Sequence, residues 1–585
     1  MIIALYVLAA VGGIVVFGAL VAGLIALWRW RRKKLPKSML LELDLHGTFV
    51  ERSPQMRLGK LLGGDESTTV RSVVTALDKA RQDERVKGLI VRVGAPIIAP
   101  AHAQELRDAL VRFRDSGRQT VATADTFGEG ASGNISYYVA SACAEIYLQP
   151  SGEVGVMGLR LEQPFVKRAL QNLGVVPRIG QRETYKNAPN TFLESGLTEA
   201  HRESLTSLAH GVLGELAQGI AEGRKRPRAE VDAWFADGPF AAPDAKARGL
   251  VDDTIYRDQV YDKLKEKHGD EVKLVFLERY SERAKDKGAS KKAPTVAVIH
   301  GIGAVQRSGG GDGLSRRGDT FDAAEVAAAV RAARRKKSVK GVLLRVDSPG
   351  GSYVAADTVW REVEATRAAG KPVVVSMVNA AASGGYFVAA PATAVVAQPL
   401  TITGSIGVFG GKVVLEGLTR RFGIDFDGVQ THANADMNSA MHDYTPEQRA
   451  HLERSLDRIY GDFTDKVARG RKLTVEQVRA VAQGRVWTGR EALQHKLVDA
   501  LGGFDTALDL LKKELGEEPS TRLKLRDLPE ERSIWDKLWT KPPLSSEREG
   551  LEARGASEMA DIFERLQTAT LARVIGGALR LIGLG

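Results

Sequence analysis

Two glycine-rich turns hold the residues whose types and spacing could do chemistry. The first is Asp347-Ser348-Pro349-Gly350-Gly351, directly after a valine-rich run. Glycines at a strand end let the chain turn sharply and aim backbone N–H groups outward. Such groups can hold the charge that develops on a carbonyl oxygen during acyl transfer. An ordinary strand-to-helix turn has the same composition. The second is Ala381-Ala382-Ser383-Gly384-Gly385-Tyr386, again after a valine-rich run and before a helical pattern. A serine there sits at the positive end of a helix dipole, among neighbours small enough to admit a peptide. It would serve equally as a plain N-cap.

These turns need elements to position them. Residues 295–299, 341–346, 372–377 and 394–397 read as buried strands, valine-rich and bounded by Gly or Pro. Residues 321–337 and 355–369 between them read as helices. Strand-helix-strand alternation predicts parallel sheets with crossover helices. The pattern occurs twice. The seven residues from Lys87 match those from Lys340, the five from Tyr137 match those from Tyr386, and Leu148-Gln149-Pro150 is echoed by Ala397-Gln398-Pro399. The offset stays near ~250 residues, domain size and not solenoid size. Duplication of one α/β domain is the reading, as the length of 585 residues also implies.

The predicted organisation is an anchor with a basic flank at 1–34, a first copy at 38–277, a linker at 278–294, a second copy at 295–513 and an extension at 514–585 without counterpart in the first copy. Residues 2–28 carry no charged side chain. A bilayer-crossing helix needs ~20 such residues. The absence of a positive leading region argues for an uncleaved transmembrane helix. Residues 571–584 read as an amphipathic membrane-surface helix or a packing helix. The net charge of +11 includes clusters at 29–37 and 331–340. This suggests anionic lipid, or a solvated basic face, and no nucleic-acid motif is present. The single cysteine, Cys143, excludes an internal disulfide and a cysteine-rich zinc site.

The pair of turns is similar to the ClpP/crotonase fold, where the first supplies an oxyanion hole and the second a nucleophile. ClpP-like peptidases place a histidine soon after the serine. Here that stretch is Thr401-Ile402-Thr403-Gly404-Ser405-Ile406-Gly407, without histidine, and His432 and His442 lie further on in a polar loop. Ser383 followed by this stretch resembles the long, duplicated form of the signal peptide peptidase A family, over residues 40–510. The resemblance implies a serine-lysine dyad, with Ser383 as nucleophile and the lysine drawn from the first copy's Tyr185-Lys186. Read without the family, that pair is an exposed surface lysine. The resemblance implies that Ser405 orients Lys186 and that Gly350, Gly351 and Gly384 form the oxyanion hole.

A free lysine is neutral about once in ~2500 at pH 7, so the base must be desolvated toward ~7. The first copy has Gly94-Ala95-Pro96 in place of the paired glycines, and Ser132 in place of Ser383. The second has Asn434 or Ala435 in place of Lys186. Each copy holds half a site. The resemblance further implies no metal or cofactor, hydrolysis of signal peptides and other apolar segments, contact with membrane lipid, and a ring-like, tetramer-like homo-oligomer. The expected location is the cell inner membrane, with one span. The basic flank puts the body in the cytoplasm, whereas the family places it outside. The rival readings are a catalytically inactive scaffold of the same fold and a crotonase-type acyl-CoA hydrolase.

Overall fold

A computed structural model describes residues 35–52, 68–94, 98–284, 288–290, 292–307 and 320–529. The expected transmembrane helix and basic flank at 1–34, and the apolar segment 571–584, lie outside the described residues. Among the described residues, no helix is long and apolar enough to cross a membrane.

The strands form where runs of Val, Ile and Leu can be buried on both faces, which parallel sheets require. In the first sheet the order across is Asp253–Thr254, Glu145–Leu148, Gln119–Ala124, Val86–Val93, Met39–Leu45 and Lys273–Phe276, all parallel. The second, of eight strands, contains the run Ala500–Leu501, Ala394–Ala397, Val373–Ala382, Val339–Ser348, Thr295–Ile302 and Lys524–Leu528, all parallel, and adds Ile402–Gly404 beside Val373–Ala382 with Val486–Thr488 antiparallel to it. Over those six parallel strands the two orders are the same, so the repeat seen in the sequence is a repeat of topology. Crossover helices complete each unit. Ala323–Arg335 is one of them, capped by the Asp322 carboxylate on Glu325 N–H and burying Val326, Ala327, Val330 and Ala333 at helical spacing.

Two boundaries move. Lys524–Leu528 pairs with residues 295–299 as Lys273–Phe276 pairs with residues 39–42. The second copy therefore runs past 513, and residues after 514 do have a counterpart. Its charged, edge-strand sequence hid it, since edge strands carry charge where central ones are apolar. The expected linker at 278–294 begins too early. Leu277–Arg283 is a helix that packs Leu277 and Tyr280 into the first core.

The copies are joined by more than the chain. Val176–Arg182 of the first pairs antiparallel with Val408–Val414 of the second. Arg345, on a central strand of the second sheet and 2% exposed, is gripped by two first-copy carboxylates. Its Nε and Nη2 donate to Glu51 at 2.8 and 2.6 Å, and Nη2 donates to Glu105 at 3.1 Å. Cys143 is buried, and burial pushes its thiol up to about 12.

Candidate active site at the joint between the copies

The strand Val373–Ala382 runs long at its C-terminal end, where Ile402–Gly404 pairs with it. Ser383 follows at once. Its φ of 53° and ψ of −118° make a sharp elbow before the helix Gly384–Ala389. This is a conformation that non-glycine residues rarely adopt and that costs of order 1–3 kcal/mol. The elbow is pinned by the Ser383 N–H donating to Gly404 O at 2.9 Å. Helix capping is not the serine's role, because its side chain makes no cap bond.

The Pro-Gly-Gly turn lies directly beside it. Gly350 has φ 109°, and a Cβ there would stand 2.7 Å from Ser383 Cβ. Only glycine fits. The turn is stitched to the strand Ala304–Gln306: Val305 N–H donates to Gly350 O, and Ser352 N–H donates to Val305 O, both at 2.9 Å. One N–H of the expected trio is already occupied, since Gly350 N–H donates to Ser348 Oγ at 3.2 Å. Gly351 and Gly384 have no such internal bond among the described residues. The Gly351 nitrogen lies 3.2 Å from where a Cβ on Gly384 would stand. Two bare donors thus lie side by side next to Ser383.

Asp347 ties this turn to the strand that ends at Ser383. It accepts from Ala380 N–H at 3.0 Å and from Asn379 Nδ2 at 2.9 Å. Burial pushes its carboxyl up, partly offset by His102 and these bonds.

Lys186 arrives from the first copy, just after the strand Val176–Arg182 that bridges the two. It is 3% exposed, not a surface lysine. Its Nζ lies 3.1 Å from Ser383 Oγ, 3.0 Å from Ser405 Oγ and 3.0 Å from Ser405 O. Burial lowers its pKa to about 7, with no carboxylate contributing. Ser405 itself has φ 49°. All six expected residues, Ser383, Lys186, Ser405, Gly350, Gly351 and Gly384, therefore converge. His432 and His442 are exposed, and neither is bonded to Ser383 or Lys186. Ser132 keeps the elbow position in the first copy without its backbone geometry: its φ is not positive, and its Oγ accepts from Asn134 N–H at 3.4 Å.

Sequence reasoning missed Gly484 and Arg485. Gly484 has φ 78°, its N–H donates to Ile406 O, and its carbonyl accepts from Ser405 Oγ at 3.4 Å. The only local signal was a Gln-Gly pair, which reads as a turn.

Residues 112–271 and 365–517 each match peptidase family S49. The chain is 33% identical over 495 residues to Protease 4 of Salmonella typhi, covering 80% of this chain and 77% of that protein. It is 30% identical to Protease 4 of Haemophilus influenzae, over 77% of this chain and 74% of that one. It is likewise 30% identical to the chloroplastic serine protease SPPA of Arabidopsis thaliana, over 77% of this chain and 66% of that one.

Proposed function

This chain belongs to peptidase family S49 and is a serine peptidase, and from that premise we propose that Ser383 is its nucleophile and Lys186 its general base. The observation that carries this reading is the buried Lys186 amine held between Ser383 Oγ and Ser405.

A neutral amine has two N–H bonds and one lone pair. The two N–H bonds satisfy Ser405 O and Oγ. The lone pair then points at the third neighbour and accepts the Ser383 proton. As Ser383 Oγ bonds to the scissile carbonyl carbon, its proton passes to Lys186 Nζ. The carbonyl oxygen takes the electron pair and is met by the Gly351 and Gly384 N–H groups. Collapse breaks the C–N bond, and Lys186 returns the proton to the leaving amine. Water, deprotonated by Lys186, then attacks the acyl carbon; the C–O bond to Ser383 breaks and Lys186 returns the proton to Ser383 Oγ. Ser405 fixes the amine as a third group does in other triads. Burial is what makes the step possible near neutral pH, since an exposed lysine stays charged there.

The proposed substrates are signal peptides and other apolar segments, cut by a membrane-anchored ring of several copies. The apolar run at 2–28 and the resemblance to signal peptide peptidase A support this. The test is turnover of an apolar peptide by wild type, Ser383→Ala, Lys186→Ala and His432→Ala. The reading expects the first two variants dead and the third active. An active Lys186→Ala protein with a dead His432→Ala protein would sink it.

A further inference from the structure

The residue before the base, Tyr185, and the residue that meets its amine, Ser405, both hang on one short segment of the second copy. Gln483 O accepts the Tyr185 N–H at 2.9 Å, which fixes the residue before the base. Gly484 O and Arg485 O accept from Ser405, through its hydroxyl at 3.4 Å and its N–H at 2.6 Å. Gln483 and Gly484 are consecutive left-handed residues, with φ 49° and 78°. A non-glycine residue such as Gln483 keeps that backbone only where its surroundings hold it.

The holder is the Arg485 side chain. Its Nη1 and Nη2 each donate to the Glu203 carboxylate at 2.8 Å, a two-point pair. Its guanidinium lies over two rings, 4.2 Å from the Trp487 centroid and 5.0 Å from that of Tyr185. Trp487 is itself anchored, donating from Nε1 to Val481 O at 2.9 Å. Glu203 and Tyr185 belong to the first copy, Arg485 and Trp487 to the second. The Arg485 side chain is 16% exposed. A loose surface ion pair contributes little; here the Glu203 side chain is 47% exposed, but the pair is forked and the guanidinium is stacked and mostly covered. Neither Arg485 nor Glu203 is bonded to Ser383 or to the Lys186 amine.

We propose that Arg485, clamped by Glu203 and stacked on Tyr185, is a positioning residue that holds the base in line with Ser383. The proposal rests on Lys186 being that base. Arg485 ties the start of the base segment to the loop that carries its hydrogen-bond acceptors. It does so across the joint between the copies, so the base is aimed only when the copies are docked. Lysine cannot replace it, because an ammonium has neither the planar fork nor the stacking face.

The test uses the full chain with Arg485→Lys and, as a nearly isosteric change, Glu203→Gln. Steady-state kinetics across pH are measured beside thermal unfolding and Lys186→Ala. The expected result is a loss in kcat of about tenfold to a hundredfold, the scale of a small misplacement, with KM within about twofold. The midpoint of the pH profile should move up toward the free lysine value, because a loosened segment lets water reach the amine. The charged groups beside that amine's segment, Glu203 and Arg485, neutralise each other in the wild type, so only Glu203→Gln alters local charge. Arg485→Lys, which keeps it, separates solvation from charge. Should Arg485→Lys fail to fold, Glu203→Gln decides alone. Wild-type kcat and midpoint in the folded variants, or lower stability with an unmoved midpoint, would overturn the proposal while Lys186→Ala is dead. An active Lys186→Ala would overturn the base assignment, and this proposal with it.

Discussion

Gly484 lies so close to Lys186 that a Cβ on the glycine would stand 2.6 Å from Lys186 Cβ and 2.6 Å from its backbone nitrogen. Real Cβ atoms do not approach that closely, and the neighbour is backbone that cannot swing away. Gly484 also has φ 78°. Gly484→Ala is expected to push the base out of line and lower kcat about a hundredfold, as ångström-scale misplacements do. Circular dichroism should show the fold retained. Near-normal turnover by this variant would show that Lys186 has room to move without consequence.

The same crowding occurs across the site. A Cβ on Gly350 would stand 2.7 Å from Ser383 Cβ and 2.9 Å from Gly384 N. Gly350→Val is expected to be inactive and to resist labelling by a serine-directed phosphonate. A folded Gly350→Val protein that labels at the wild-type rate would place the carbonyl-binding donors elsewhere.

Activity should follow the protonation of Lys186. Its pKa is about 7, and only the neutral amine can take the serine proton. kcat/KM is therefore expected to rise with pH through about 7 and then level off. Lys186→Arg should be dead at every pH, because arginine stays protonated in proteins. A profile still rising steeply above pH 9 would mean the lysine is not desolvated.

The same burial carries a cost in stability, and its sign can be worked out. The folded pKa is about 7, against ~10.4 for a free lysine. Between the two values the unfolded chain binds a proton that the folded chain does not, so stability rises with pH across that window. The penalty is full below pH 7, about 4–5 kcal/mol at 1.36 kcal/mol per unit, and vanishes above the free value. Lys186→Met is expected to be inactive yet more stable, with the gain larger at pH 6 than at pH 10. Urea unfolding at the two pH values checks this. An equal effect at both would show that the lysine is not penalised by burial.

At the joint between the copies, Glu51→Ala leaves the buried Arg345 guanidinium with Glu105 and Ser376 alone. Removing one partner of a buried pair costs about 3–5 kcal/mol, and the remaining carboxylate should hold the loss to the lower part of that range. His102 and His300 also face Glu51. The loss should appear in chemical denaturation and be accompanied by reduced activity, since the strand that carries Arg345 ends in the Asp347–Gly351 turn. An unchanged unfolding midpoint would show that the copies do not depend on this contact.

Much of the frame was legible because its causes are local. Valine-rich runs ended by glycine or proline can only be satisfied as buried strands, and the second copy's four expected strands all form. Ser383 at a strand end among small residues, and the paired glycines at 350 and 351, could be read as a nucleophile turn and a carbonyl-binding turn. The repeat of segments from Lys87 and Lys340 foretold two sheets of one topology. By contrast, Lys524–Leu528 was missed. A charged pentapeptide without apolar alternation shows its strand character only when a neighbour strand offers it hydrogen bonds.

The sequence by itself determined where each turn falls. What it did not contain was the environment of Lys186. Taken alone, Tyr185-Lys186 in a polar stretch is a solvated pair, and nothing within several residues of it argues otherwise. The pairing of Val176–Arg182 with Val408–Val414, and the Tyr185 N–H bond to Gln483 O, bring it under the second copy, beside Ser383, 197 residues away. Turn geometry depends on neighbours in the chain, whereas desolvation depends on what packs over a group from elsewhere. The tertiary structure alone therefore turns an ordinary lysine into an amine that can be neutral near pH 7.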